Sequence, residues 1–267
     1  MINILNAGNK KVTDGLMITV LSLIKHTDKP INMICLTMDL SDIDKSFTPI
    51  SNEFAELVNK VMQEKNKENK FTLIDMSEHF KKELISSPNL KTWFTPYAML
   101  RLLCDKVPMP DKFIYLDTDT IINRDISLLY DIDIDEYEIA GVKDDFCFDA
   151  NYFNSGVMLI NNKLCKETQL FSKARELVNK KKMYYVDQKA LNLCCTKKLM
   201  LPYVFNAKSK YDEHIVVHHF CNVRRFFFKR IKPWEVKLVK RKTSAYNDVL
   251  DNYLKLKKEN PQLFFQK

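Results

Sequence analysis

Glycine is nearly absent, with four in 267 residues, at positions 8, 15, 141 and 156. Neither GxGxxG nor GxxxxGK[ST] can be built from them. That excludes the two glycine-rich loops that cradle phosphates at a helix N-terminus. CxxC pairs are absent as well. The seven cysteines, at 35, 104, 147, 165, 194, 195 and 221, are odd in number. They read as reduced thiols of a cytosolic chain, not as a disulfide framework or a zinc site. No apolar run is long enough to span a bilayer. The longest early one, "LMITVLSLI" (16–24), follows a strand-like "INIL" and precedes no small-residue cleavage site. It reads as a core helix and not as a signal segment. What is present is a globular composition, 46% apolar and 11% aromatic, sufficient for one large α/β domain with a sizeable core.

Basic charge is local. The formal net charge is +8. Nine Lys or Arg and one acid, Glu235, lie between Arg224 and Lys242, so this segment alone carries +8. The rest of the chain is close to neutral, and the basicity is a patch.

The apolar pattern alternates strand and helix. "INIL" (2–5), "INMICLT" (31–37), "KFTLID" (70–75) and "KFIYL" (112–116) read as strands. Helices are expected over about 15–26, over the polar, exposed stretch 50–69, and over 95–107. In the last of these Thr95 is the N-cap and Pro96 the first helical residue. Such alternation means βαβ units and a mostly parallel sheet. Shorter elements follow: strands at 138–142, 156–160 and 215–220, a long helix over about 163–182, a helix near 187–194, and a polar helix over 244–259. In parallel sheets ligands bind beyond the carboxyl ends of the strands. Asp117 and Asp119, in "FIYLDTDTII" (113–122), stand at that place.

Two chemistries use this arrangement. Carboxylates at i and i+2 after a strand can share one hard divalent cation, Mg²⁺ or Mn²⁺, which also takes substrate phosphates. Alternatively, D-x-D-x-T resembles the first motif of haloacid-dehalogenase-like phosphatases, with Asp117 as nucleophile and Asp119 as acid/base. "VKDDF" (142–146) would then supply the lysine and the acidic pair. Spacing counts against the phosphatase, because only 25 residues separate Asp117 from Val142. A DxD triplet alone is more often a capped turn, so other stretches must decide.

Four of them resemble the retaining glycosyltransferases of family 8, the group that includes glycogenin and bacterial lipooligosaccharide galactosyltransferases. They are "TPYAMLRLL" (95–103), "YLDTDTII" (115–122), "FNSGVMLIN" (153–161) and "DQKALN" (187–192). "HHFCN" (218–222) followed by "KPW" (232–234) is a partial fifth. The resemblance implies a GT-A fold: a Rossmann-like, mostly parallel sheet with helices on both faces and a smaller C-terminal extension. It divides the chain into a catalytic domain over 1–221 and a basic-aromatic extension over 222–267. It also implies a retaining hexosyltransferase that uses a UDP-sugar, galactose or glucose foremost, and Mn²⁺ or Mg²⁺.

Carried over by position, Asp117, Asp119 and His219 would hold the metal. Ala7, Gly8 and Asn9 would meet the nucleoside, and Thr118 and Lys232 the nucleotide. Arg101 and Asp144 or Asp145 would orient the donor sugar. Asn154, Asp187 and Gln188 would lie at the anomeric carbon. Mn²⁺ accepts one imidazole among oxygens more readily than Mg²⁺ does. A glutamine at 188 favours same-face attack through an oxocarbenium-like state over a covalent intermediate. The family pattern departs around His219. Asn222 replaces a glycine, and 13 residues separate His219 from Lys232 because "VRRFFFK" is inserted. His218 has an equal local claim to the metal.

Residues 223–242 mix cations with Phe, Ile, Trp and Val, which suits an anionic membrane surface. The expected location is cytoplasmic and peripheral on the inner face of the cell membrane. The expected acceptor is a surface glycan or a lipid-linked one. Single-stranded nucleic acid is the disfavoured partner for the same composition.

Overall fold

The computed structural model describes residues 1–90, 96–145, 147–208, 211–221 and 231–265. Nine strands form in chain order: β1 (Ile2–Ala7), β2 (Ile31–Thr37), β3 (Lys70–Asp75), β4 (Lys112–Leu116), β5 (Thr120–Ile122), β6 (Ile139–Lys143), β7 (Phe153–Asn161), β8 (Lys198–Leu201) and β9 (Val217–His219). Seven make one sheet in the order β3-β2-β1-β4-β7-β6-β8. Only β7 runs against its neighbours; the other pairings are parallel.

Both faces of this sheet are covered, which explains the continuous apolar strands. Alternate residues divide between two cores. Ile114 and Leu116 of β4 enter one cluster with Leu16, Val20 and Leu23 of the helix Thr13–His26. Phe113 and Tyr115 enter the other with Leu100, Phe171 and Leu191. Each such fully buried side chain contributes about 1.5–3 kcal/mol.

Three helical expectations change. The segment Pro96–Lys106 is a buried 3₁₀ helix, and Thr95 lies outside the described residues. Two of its carbonyls are taken by guanidinium groups, Ala98 by Arg101 and Leu102 by Arg175, so the regular i→i+4 ladder is not needed to satisfy them. The helix expected over 163–182 divides into Asn162–Glu167 and Leu170–Lys180. Gln169 between them is left-handed (φ 58°), and the Thr168 hydroxyl donates to Glu138. The helix Asn52–Lys65 is not fully exposed: Phe54, Val58, Val61 and Met62 are buried. β5 and β8 carried no sequence signal of their own, being three and four residues long.

The C-terminal helix Asn247–Glu259 packs on Thr13–His26. Tyr246, Val249, Leu250, Tyr253 and Phe264 join the first core cluster. Buried Asp14 accepts from Tyr253 Oη at 2.5 Å and from Lys257 Nζ at 2.6 Å. Among the described residues, no helix is long and apolar enough to cross a membrane.

Candidate active site

The turn after β4 is pinned from three sides. The Asp117 N–H donates to the Gly156 carbonyl of β7 at 2.7 Å. The Thr120 hydroxyl donates back to the Asp117 carbonyl at 2.9 Å. The Thr118 carbonyl accepts from Thr19 at 3.4 Å. β5 then pairs antiparallel with β9, setting Thr120 opposite His219 and Ile121 opposite His218. This two-stranded ribbon carries a histidine from 100 residues away onto the aspartates.

Neighbours on a strand face opposite ways, and that separates the two histidines. His219 Nε2 lies 3.1 Å from Asp119 Oδ1 and 3.6 Å from Asp117 Oδ2. His218 turns away, its Nδ1 2.6 Å from Tyr246 Oη, and its ring stacks on Phe220. Ligand atoms of Asp117, Asp119 and His219 all lie within 4.8 Å of one another. Two carboxylates and one imidazole gathered in this way fit a divalent cation. The Lys232 ammonium lies 2.5 Å from Asp119 Oδ2. Trp234 packs against Gly15, and Glu235 accepts from the Lys232 N–H at 2.8 Å. The KPW segment is thus seated beside the aspartates despite the longer spacing.

The charges perturb one another. Burial raises the Asp117 carboxyl above its ordinary value, outweighing the Arg101 and His219 charges that lower it. At Asp119 burial acts in the same sense, but His219 and Lys232 outweigh it and hold the carboxyl well below the usual range. Burial disfavours the His219 imidazolium, yet Cys221 and Asp119 raise it to about 10. His218 lacks such partners, and burial takes it down to about 4, aided by the neighbouring charge of His219.

Beside this cluster is a cavity of about 100 Å³ lined by Arg101, Asp144, Asn154, Gln188, Lys208 and His219, among others. Buried Arg101 organises one wall. It gives Nη2 to Asp117 at 2.8 Å and Nη1 to the Ser155 carbonyl at 2.6 Å. Its Nε, which donates to the Ala98 carbonyl, also lies 3.1 Å from Asp187 Oδ2 as an ion pair. Ser155 Oγ donates to the same Asp187 oxygen at 3.1 Å. Gln188 Oε1 accepts from the Ser155 N–H and Asn154 Nδ2, while its Nε2 donates to Asp144 at 3.3 Å. Lys208 Nζ lies 3.5 Å from Asp145 and 3.9 Å from Asp144.

The model of the family described as glycosyl transferase family 8 matches residues 3–237. The chain belongs to this family. A Haemophilus influenzae protein whose name assigns it to the glycosyltransferases is 30% identical over 256 residues, 85% of this chain and 73% of that one. Among solved structures, the galactosyltransferase LgtC, in complex with donor and acceptor sugar analogs, superposes with a TM-score of 0.71 at 20% identity. That match covers 94% of this chain and 96% of LgtC. GlyE of Streptococcus pneumoniae superposes with a TM-score of 0.64 at 20% identity, over 95% of this chain and 63% of GlyE. The fold is GT-A, and this family 8 chain is a glycosyltransferase.

Most of the residues expected at the site are together. Asp117, Asp119, His219, Arg101, Asp144, Asn154, Asp187, Gln188 and Lys232 form one connected polar network. Ala7, Gly8 and Asn9 continue from β1, which pairs with β4 through Leu5 and Tyr115. They lie at the same sheet edge but do not line the cavity. Thr118 does not line it either; its carbonyl faces the helix Thr13–His26. Lys143, the lysine a phosphatase site would use, is exposed and outside the cavity. Sequence reasoning missed Ser155, which meets both Arg101 and Asp187. It also missed Lys208 and Asn206, which no motif contains.

Proposed function

We propose that this family 8 enzyme transfers a hexose from a UDP-sugar to a glycan or lipid-linked acceptor, with Mn²⁺ held by Asp117, Asp119 and His219. One observation carries the metal reading: three ligand side chains from two distant segments converge within 4.8 Å of one another. When bound, the ion neutralises the diphosphate and stabilises the charge on the leaving nucleotide.

The protein's own groups do the rest. Lys232 and Arg101 supply positive charge to the phosphates and to the sugar side of the cavity. Asp144, Asn154 and Gln188 offer hydrogen bonds that fix the orientation of the sugar. Asp187 is held by Arg101 Nε and Ser155 Oγ, both at 3.1 Å. A carboxylate held this way positions Arg101 rather than attacking the anomeric carbon. That supports retention by same-face attack along Gln188. A glycosyl adduct trapped on Asp187 would refute it.

Incubation with a panel of UDP-sugars and Mn²⁺, with and without EDTA, tests the reading through UDP release. Release that EDTA abolishes and Asp119→Asn eliminates is the expected result. EDTA-insensitive release, or none with any UDP-sugar, counts against it.

We further propose that residues 222–267 serve as an extension that attaches the enzyme to an anionic membrane surface. Residues 222–230 lie outside the described ones, but Lys237, Arg241 and Lys242 are exposed while Val236 and Val239 are buried. Cations facing out from a docked apolar base suit anionic lipid, each contributing about 1 kcal/mol near the surface. Sedimentation with phosphatidylserine vesicles, lost when Lys237, Arg241 and Lys242 become Gln, is expected. Equal sedimentation with neutral vesicles would reject it.

A further inference from the structure

His219 is oriented from behind by a chain of amides. Its Nδ1 lies 2.9 Å from Asn206 Oδ1. Asn206 Nδ2 donates to Asn154 Oδ1 at 2.9 Å. Asn154 Nδ2 donates to Asp144 Oδ2 at 3.1 Å and to Gln188 Oε1 at 3.0 Å. Asn206 is wholly buried, and His219 nearly so.

The direction of every bond in this chain follows from backbone groups that can only donate. The Ser155 N–H points at Gln188 Oε1 at 3.1 Å, so oxygen must occupy that position. The Gly156 N–H points at Asn154 Oδ1 at 3.1 Å, which fixes the second amide in the same way. Asp144, a carboxylate that only accepts, requires nitrogen from both. Asn206 must then give its nitrogen to Asn154 and keep its oxygen for His219. The imidazole therefore carries its proton on Nδ1 and directs Nε2 toward Asp117 and Asp119.

We infer that Asn206 is the positioning residue that holds His219 as an Nε2 ligand, and that β7 dictates this orientation through Asn154. This rests on the reading that Asp117, Asp119 and His219 bind a metal. Metal-binding histidines generally give their other ring N–H to an acceptor, and loss of that acceptor weakens metal affinity by about 10–100-fold. Asn206 supplies a neutral acceptor, itself locked by the strand that shapes the sugar side of the cavity. The metal ligand and the donor-sugar wall thus share one frame.

The test uses the full chain and Mn²⁺ alone, with affinity read by electron paramagnetic resonance and folding by thermal melting. Asn206→Leu removes the acceptor and keeps the volume. Asn206→Asp keeps an acceptor for Nδ1–H and, with its other oxygen protonated toward Asn154 Oδ1, keeps the donated bond as well. The expected result is a folded Asn206→Leu protein that binds Mn²⁺ about 10–100-fold more weakly, with Asn206→Asp within about threefold of the parent. In Zn²⁺-loaded protein, long-range ¹H–¹⁵N spectra of His219 should show a single form with Nε2 ligated and Nδ1 protonated in the parent and in Asn206→Asp, and a mixture with unligated imidazole in Asn206→Leu. Parent-like affinity in Asn206→Leu overturns the inference, and so does equal weakening in both variants, which would make Asn206 a packing residue. If Asn206→Leu does not fold, the comparison of Asn206→Asp with the parent decides: a loss beyond tenfold overturns it. Failure of the metal reading is separate, since it shows as no Mn²⁺ binding by the parent, or as undiminished binding by Asp119→Asn.

Discussion

Gly156 and His219 touch where no β-carbon fits. A Cβ at Gly156 would stand 2.1 Å from His219 Cε1 and 2.8 Å from Asp117 Oδ2. The glycine of "FNSGV" is there for space, not for backbone freedom. Gly156→Ala should push the imidazole off the aspartates. A shift of about 1 Å at a reacting centre costs about 100-fold in rate, so kcat/KM is expected to fall by that order. Mn²⁺ affinity should fall with it while the melting temperature stays close to the parent's. A fully active Gly156→Ala enzyme would show that His219 is not required in place.

Lys232 bridges Asp119 at 2.5 Å and so competes with a cation for the same carboxylate. Lys232→Met is expected to tighten Mn²⁺ binding while reducing UDP-sugar turnover. Removing one positive charge about 4 Å from a cation is worth about 1 kcal/mol or more, roughly fivefold in the dissociation constant. Calorimetric titration with Mn²⁺ measures it, and weaker binding in Lys232→Met would contradict the competition.

Among the described residues, Arg101 is the charge partner of buried Asp187, and it also pairs with Asp117. Arg101→Ala takes the ion partner from Asp187 and leaves Asp117 facing His219, and breaking a buried pair in this way costs about 3–5 kcal/mol. Arg101→Lys should recover little, because an ammonium cannot reach Asp117, Asp187 and the Ser155 carbonyl together. Urea unfolding of the three proteins provides the comparison. A loss below about 1 kcal/mol in Arg101→Ala would mean that the network relaxes around the gap.

The adjacent histidines should act oppositely on stability. His219 is raised to about 10, above its unfolded value near 6.5. In metal-free protein its contribution is complete below about pH 6.5 and is lost as pH rises toward 10. His218 is lowered to about 4, so its neutral form is favoured in the fold. Its contribution is complete above about pH 6.5 and is lost as pH falls toward 4. Melting in EDTA across pH 4–10 should therefore decline at both ends. Removing His218 (His218→Phe) should flatten the acid limb, and His219→Gln the alkaline limb. An unchanged acid limb in His218→Phe would dismiss its part.

Tyr253 joins the C-terminal helix to Asp14 at 2.5 Å. Tyr253→Phe deletes one hydrogen bond to a buried carboxylate and retains the ring. Such a bond is worth about 1.5–3 kcal/mol, and Lys257 remains to neutralise Asp14. The loss should appear in chemical denaturation at the low end of that range, with catalysis unaffected.

Much of the catalytic half was legible in the chain. "KFIYL" is a strand buried on both faces because its apolar residues are continuous. "DTDT" closes it because Asp and Thr can satisfy the turn backbone locally. "FNSGVMLIN" and "DQKALN" each place several site residues within one strand or helix, so their spacing survives as written sequence. Short elements were not legible: β5 and β8 form because neighbouring strands supply their hydrogen bonds. The 3₁₀ winding of Pro96–Lys106 was equally hidden; two of its carbonyls accept from the guanidinium groups of Arg101 and Arg175, the second of them 73 residues away in the chain.

What the sequence determined by itself was the kind of chemistry: paired carboxylates after a buried strand, and a family pattern carried by local motifs. What only the tertiary structure decided was the third ligand. His218 and His219 are equivalent as letters. Pairing of β9 with β5 turns one toward Asp119 and the other toward Tyr246, because successive strand residues face opposite ways. Asn206 and Lys232 gain their positions in the same manner. Their partners lie 13 residues away in one case and 113 in the other, and only the folded backbone sets those distances.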